Sequence, residues 1–298
     1  MGDRDANHAL TGGARLGDYR ILRLLASGGF SFVYLARDAK DREAMPIAIK
    51  EYFPVGLAVR PASTSTLIVP QACRAAFGRG LSCFFEEGKA LARLQHANVV
   101  RVLNFFRANG TAYLVMRYEE GATLQEHLQQ AAAPPAEAWL RQLFASVLRG
   151  LRAVHSHGVL HLDVKPGNVY VRADGAPMLI DFGATRRALS GAAAGMSFVH
   201  TPGFASPEHH SGGELGPWSD IYSVGACMYA CLLGDTPLSA EERLREDRLP
   251  PAARRWAGKY SAALLAAIDR CLRMEPRERP QSILALQKLF AESSLAAA

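Results

Sequence analysis

The chain has 298 residues, near the upper limit for one hydrophobic core and suited to one bilobal unit or two small domains. Apolar residues make up 49%, charged residues 21% and aromatics 8%, values that exclude a disordered chain and leave ample material for a core. The net charge of +6 suits an anionic ligand, but no run of five like charges occurs, so nucleic acid is not an expected partner.

The cysteines, Cys73, Cys83, Cys227, Cys231 and Cys271, are odd in number and contain no C-x-x-C pair. That excludes a disulfide framework and a zinc site of ordinary spacing, and leaves reduced thiols, several of them in the core. Met1 to Gly17 is polar with scattered charges and does not read as a secretory signal. The longest uncharged apolar stretch, Ile221 to Leu233, is too short to span a bilayer and reads as a buried core helix. The expectation is a cytoplasmic chain without a membrane segment of its own.

In chain order, residues 1–16 read as a mobile leader. Tyr19 to Leu25 and Phe32 to Ala36 read as strands joined at a glycine pair, and Ile47 to Lys50 as a third strand. Helical spacing begins near Phe84 and runs to Leu94. Strands follow at Val99 to Phe106 and Ala112 to Tyr118, with a turn at Ala108-Asn109-Gly110. Trp139, Leu140, Leu143, Phe144, Val147, Leu148, Leu151 and Val154 then recur at steps of three and four, which predicts one apolar helical face. Further helices are expected at 219–234, 261–273 and 280–291. A β-rich first part followed by a helical second part is an α+β, two-lobe plan.

The chemistry concentrates in two short segments. His161-Leu-Asp163-Val-Lys165-Pro-Gly-Asn168 places an anion, a cation and an amide on one loop. Downstream, Met178-Leu-Ile180 ends in Asp181-Phe-Gly183, a carboxylate closing a buried strand beside a flexible glycine. Oxygen ligands of this kind, with phosphate completing the shell, suit Mg²⁺. Upstream, Ser27-Gly28-Gly29-Phe30-Ser31 joins two strands and can offer backbone N–H groups to phosphates. Lys50 closes an apolar strand and needs an anionic partner, which Glu87 on the next helix can supply. Each piece alone has a plainer explanation, as a hairpin, a surface lysine or a turn residue. Their joint order is what carries weight.

In that order the chain resembles the bacterial, eukaryotic-like (Hanks-type) serine/threonine protein kinases, over about residues 18 to 291. The resemblance is carried by Ile47-Ala-Ile-Lys50, His161-x-Asp163-x-Lys165-Pro-x-Asn168, Asp181-Phe-Gly183, Ser206-Pro-Glu208, Asp220-Ile-Tyr-Ser-Val-Gly225 and Glu275-Pro-Arg-Glu-Arg279-Pro. It implies the protein-kinase-like bilobal α+β fold: an N-lobe at 17–118 with one main helix, an insert at about 54–80 and a helical C-lobe at 119–292, before a tail at 293–298. It implies ATP and Mg²⁺ as cofactors, with Mn²⁺ as an alternative ion, and a protein substrate with Ser/Thr acceptors, with autophosphorylation expected. Lys50, oriented by Glu87, would hold the α- and β-phosphates. Asn168 and Asp181 would coordinate the metal, Asp163 would orient the acceptor hydroxyl, and Lys165 would neutralise charge on the transferred group. Ala26, Ser27, Gly28 and Gly29 would cover the phosphates. Val33 and Ala48 would sandwich adenine against Tyr170, Met116 would gate the pocket, and the backbone of Arg117, Tyr118 and Glu119 would bond the adenine edge. Leu91, Val102, His161 and Phe182 would form a stacked apolar column, which makes His161 structural. Glu208 with Arg279 would form an anchoring ion pair, and Lys165 with Thr201 would mark Ser/Thr rather than Tyr specificity.

The chain departs from the family pattern in three places. Ala26 and Ser31 replace glycines of the phosphate loop, which predicts altered ATP affinity rather than loss. Leu162 stands where many members carry an arginine that pairs with an activation-loop phosphate, which predicts activity independent of phosphorylation at Thr185, Ser190 and Ser197. The stretch between Lys50 and Glu87 is long, with Thr66 to Val69 expected as one strand of an added hairpin that either positions the Glu87 helix or only decorates it. The competing readings are a catalytically weak pseudokinase serving as a nucleotide-binding scaffold and a small-molecule kinase of the aminoglycoside or choline type. The first is opposed by the presence of Lys50, Asp163 and Asp181, the second by Asp181-Phe-Gly183 together with the Glu208 segment and Arg279.

Overall fold

The structure, a computed structural model, describes residues 8–41, 43–62, 64–182 and 201–295. The architecture is α+β and bilobal, with one compact unit holding a β-sheet and another that is mostly helical. The first unit runs to Gln95 and includes Val100–Glu119; the second contains His96–Val99 and the described chain from Glu120 onward.

The first unit is built on strands β1 (Arg15–Leu16), β2 (Tyr19–Gly28), β3 (Ser31–Asp38), β4 (Ile47–Tyr52), β5 (Val102–Ala108) and β6 (Thr111–Arg117). They form one antiparallel sheet in the order β1-β2-β3-β4-β6-β5. Alternation selects the core face: Phe32, Tyr34 and Ala36 of β3 are buried, with Ile21 and Ile49 beside them. The β5–β6 turn is Asn109-Gly110 with φ of 52° and 74°, the pair of positive values that a tight hairpin of the sheet's twist demands.

Helix α1 (Arg74–Arg93) starts earlier than the apolar spacing near Phe84 predicts. Gly78 and Gly80 weaken the local signal, yet Phe77 is buried in the sheet's core and that packing overrides propensity. Gly88 lets α1 approach the sheet closely, because an added Cβ would push the Leu114 side chain aside. In the insert, the strand expected at Thr66 to Val69 is reduced to one antiparallel bridge, Val59 with Ile68, closed by N–O contacts of 3.0 and 2.9 Å. Leu57, Ala58 and Leu67 of this segment are buried in the unit's core. The reading of 1–16 as a leader needs correction over residues 8–16. Leu10 and Leu16 are buried, the amide of Leu10 donates to the Tyr34 hydroxyl at 3.1 Å, and Arg15–Leu16 is the first strand. Two spaced leucines in a polar, glycine-rich stretch were too sparse a pattern to show this.

The second unit contains β7 (Gly121–Thr123), α2 (Leu124–Gln130), α3 (Glu137–Ser156), β8 (Val169–Arg172), β9 (Pro177–Leu179), α4 (Pro207–Ser211), α5 (Pro217–Leu233), α6 (Ala240–Arg245), α7 (Ala252–Arg255), α8 (Ala262–Cys271) and α9 (Ile283–Leu295). The apolar face expected on α3 is buried from Leu140 through Val154. Helix α5 is buried along nearly its whole length, opens with Pro217 at its first position and stops at Gly234 in the left-handed conformation (φ 75°). Cys227, Cys231 and Cys271 are buried free thiols, and burial pushes Cys271 up to about 12.

Candidate active site

The loop between α3 and β8 carries His161 to Asn168, and its backbone is held from below by Asp220 at the start of α5. Asp220 is wholly buried and accepts the amides of His161 at 2.9 Å and Leu162 at 2.7 Å. His155 Nε2 lies 2.7 Å from the same carboxylate. Burial alone would raise the Asp220 carboxyl; His155 and the ring and amide of His161 together outweigh it and hold the group below the usual carboxylate range. This grip keeps Leu162 at φ 63°, a left-handed conformation that costs about 1–2 kcal/mol for a residue with a Cβ. Asp181 is likewise at φ 62°. Strained residues of this kind persist where the surroundings over-determine them, as at functional sites.

Held this way, the loop gathers its polar groups around Asp163, a residue only 7% exposed. Asn168 Nδ2 donates to Asp163 Oδ2 at 2.6 Å, to the Asp163 carbonyl at 2.8 Å and to the Asp181 carbonyl at 3.3 Å. Lys165 Nζ lies 3.0 Å from Asp163 Oδ2 and donates to Thr201 Oγ1 at 2.7 Å. Thr201 Oγ1 in turn donates to Asp163 Oδ1 at 2.8 Å. With its amide nitrogen committed to Asp163, Asn168 has its side-chain oxygen to offer a cation. That oxygen and the Asp181 carboxylate are the hard donors a magnesium ion takes when phosphate completes its shell, so the residues fit the ion. His161 is fully buried, its ring stacked on Phe182 at 4.4 Å, and desolvation lowers its pKa. It is a packing residue, and Asp163 is the carboxylate of this loop. The expected partner glycine of Asp181, Gly183, lies outside the described residues.

The anchoring pair expected downstream is formed. Arg279 closes its fork on Glu208 at 2.8 and 3.0 Å, both residues buried, and Ser219 adds a 2.7 Å bond to Glu208. Burial would raise the Glu208 carboxyl, but Arg279 prevails and lowers it.

In the first unit, Cα pairing sets Val33 opposite Lys50 and Ala48 opposite Met116, so strand alternation puts Val33, Ala48, Lys50 and Met116 on one face of the sheet. Lys50 is 9% exposed and its Nζ sits 5.6 Å above the ring of Phe84 on α1; buried Glu87 follows three residues on along the same helix face. Ala26, Ser27 and Gly28 end β2, and Gly29 begins the turn to β3. Neither Gly28 nor Gly29 has a positive φ, and a Cβ would meet nothing closer than 3.9 Å at either. The fold therefore does not demand glycine there; what glycine leaves is bare backbone that a phosphate can approach. Arg117 ends β6, and Tyr118 and Glu119 follow it. Tyr170 is on β8 of the second unit, paired with Thr123 and Met178. Sequence reasoning missed His155 and the loop-holding role of Asp220. The available signal was an aspartate opening an otherwise apolar helix, a buried acid that must find donors.

A bilobal α+β chain with such a carboxylate loop and such a strand lysine has the architecture of a protein kinase. The chain belongs to the protein kinase family: residues 19–291 match the model of the protein kinase domain. Among curated proteins it is 30% identical over 289 residues to the serine/threonine-protein kinase pkn2 of Myxococcus xanthus, which covers 89% of this chain and 31% of that one. It is 33% identical over 228 residues to the serine/threonine-protein kinase PknL of Mycobacterium bovis, covering 76% of this chain and 52% of that protein. The chain thus spans about a third to a half of the length of these relatives. Among solved structures it resembles PpkA-294 in its apo form, at 33% identity and a TM-score of 0.87 over 95% of this chain and 99% of that one. The kinase domain of PknI from Mycobacterium tuberculosis, in a doubly substituted form, shares the fold at 21% identity, with a TM-score of 0.74 over 96% of this chain and 99% of that one. Among the described residues no helix is long and apolar enough to cross a membrane.

Proposed function

We propose that this chain is an ATP- and Mg²⁺-dependent serine/threonine protein kinase that transfers the γ-phosphoryl group to protein hydroxyls and phosphorylates itself. The observation that carries the reading is the closed set of contacts among Asp163, Lys165 and Thr201. An acceptor hydroxyl brought up beside Thr201 would meet the same two groups: a carboxylate that Thr201 holds in place and that accepts the proton, and a lysine that faces the incoming phosphoryl oxygens. Phosphoryl transfer asks little covalent work of the protein, so a rigidly held carboxylate and cation are the main requirement. Asn168 and Asp181 would hold the magnesium ion, which supplies charge neutralisation on the phosphates when bound. Lys50, with Glu87, would bind the α- and β-phosphates, the backbone at Ala26 to Gly29 would cover them, and Val33, Ala48 and Tyr170 would pack on adenine. Met116 would gate that pocket and the backbone from Arg117 to Glu119 would bond the adenine edge. The serine/threonine kinases among its relatives support the acceptor class.

The test is incubation of purified protein with labelled ATP and Mg²⁺, wild type beside Asp163→Ala, followed by phosphosite mapping. Label on Ser or Thr of the chain or of a generic protein acceptor, absent in Asp163→Ala, is the expected result. Magnesium-dependent nucleotide binding with no transfer in wild type would overturn it.

A further inference from the structure

Strand β4 presents two charged residues in succession, and strand alternation sends them to opposite faces of the sheet. Lys50 shares its face with Val33 and Leu114. Glu51 points to the other side, into the core, and is wholly buried. There it accepts the hydroxyls of Tyr34 at 2.7 Å and Tyr113 at 2.5 Å and pairs with Nη2 of Arg60. Arg60 lies in the segment between β4 and α1 and is 5% exposed. Its Nη1 donates to the His8 carbonyl at 2.6 Å, its Nε donates to the Ser65 carbonyl at 3.0 Å, and its guanidinium lies 5.7 Å from the ring of Phe53. One side chain therefore ties together the strand of Lys50, His8 before β1 and the Ser65 stretch of the insert, whose chain runs on into α1.

A buried ion pair is a poor device for stability alone, because well-packed apolar residues of similar volume serve a core as well or better. What it does supply is geometry, since a planar fork with every nitrogen committed admits one arrangement. We infer that Arg60, acting through Glu51, is a positioning residue that fixes Lys50 for nucleotide phosphate binding. Glu51 faces away from Lys50 across the sheet, and Arg60 lies on that far side with it. The pair sets the height and register of β4 from behind, and through the insert it sets the start of the helix that carries Phe84 and Glu87 alongside Lys50. The inference rests on the kinase reading of Lys50 and deepens it, giving the insert a task in that site.

Action through Lys50 has a signature that a general loss of stability lacks, namely non-additivity with Lys50 itself. Binding of a fluorescent ATP analogue with Mg²⁺ is titrated on wild type, Arg60→Met, Lys50→Ala and the double variant, with folding checked by circular dichroism and thermal melting. The expected result is about tenfold weaker binding in Arg60→Met than in wild type, and less than about a twofold further change when the same substitution is made in Lys50→Ala. Equal losses in both backgrounds, or a folded Arg60→Met that binds like wild type, would overturn the inference. Should Arg60→Met fail to fold, Arg60→Lys keeps the charge toward Glu51 but cannot hold the His8 and Ser65 carbonyls together; about threefold weaker binding, again lost in Lys50→Ala, is expected. If Arg60→Lys binds like wild type, the inference fails. Absence of binding by folded wild type would overturn the kinase reading itself and this inference with it, an outcome distinct from wild-type binding that Arg60 does not influence.

Discussion

Thr201 donates its hydroxyl to Oδ1 of Asp163 across 2.8 Å, while Lys165 reaches both residues. Each oxygen of the Asp163 carboxylate thus has its own donors, Thr201 on one and Asn168 with Lys165 on the other. Thr201→Val keeps the volume and removes the donor on Oδ1. Turnover of a protein acceptor at saturating ATP should fall about 10–100-fold while KM for ATP stays within about twofold, because the loss lies in positioning the carboxylate rather than in nucleotide binding. Thr201→Ser should recover most of the rate. Steady-state kinetics on the three proteins check this, and a Thr201→Val enzyme at full rate would contradict it.

The Glu208–Arg279 pair makes a stability prediction with a sign. Arg279→Met strands a buried carboxylate and should cost about 3–5 kcal/mol, whereas Glu208→Gln with Arg279→Met together should cost less, since no charge is left unpaired. Arg279 holds the Glu208 carboxyl below its ordinary value of 4.5. A carboxyl lowered in the folded state stabilises above its unfolded pKa and loses that contribution as pH falls through the folded value. Denaturant unfolding of wild type should therefore weaken below about pH 4.5, and Glu208→Gln should flatten that part of the profile.

His161 predicts a separate loss at higher pH. Burial lowers its pKa from 6.5, against the opposing pull of Asp220, Asp163 and Asp181. The unfolded chain then binds a proton at this ring below 6.5 that the folded chain does not, so stability rises with pH across that window and falls as the medium is acidified below it. His96 and His210 are lowered by burial too and add in the same direction. The thermal midpoint of wild type should drop between pH 7 and pH 5, and His161→Phe should drop less over the same interval. Equal slopes would show that His161 titrates alike in both states.

Strands and long helices were readable where one face is apolar over several periods, as on α3 and β3. The short helices α2 and α6 were not read, although each opens with a capping box, Thr123 with Glu126 and Ser239 with Glu242. The cluster around Asp163 could be read as a group because Asp163, Lys165 and Asn168 lie within one short segment, and the geometry then added what Asn168 does with its amide nitrogen. Asp220 was seen as the start of a helix but not as the grip on the loop, because its partners are two backbone amides that have no sequence signature. The cluster of Glu51, Arg60, Tyr34 and Tyr113 was illegible for a related reason: four positions on different strands and an insert meet only after the sheet has formed.

Leu162 bears on regulation. Its amide is bonded to Asp220 and its backbone is fixed, while its side chain offers no donor to a phosphate. The loop's conformation is therefore set by contacts to α5 that need no modified residue. Thr185, Ser190 and Ser197 lie outside the described residues, and alanine at all three should leave turnover of an external protein acceptor within about threefold of wild type, since the charge-assisted bond that would make phosphorylation matter has no arginine at this position to form it. Leu162→Arg in the otherwise native chain should then introduce a dependence on those hydroxyls, read as a gap in rate between phosphatase-treated and autophosphorylated enzyme that wild type lacks. A triple alanine chain without activity would mean that another cation receives the phosphate.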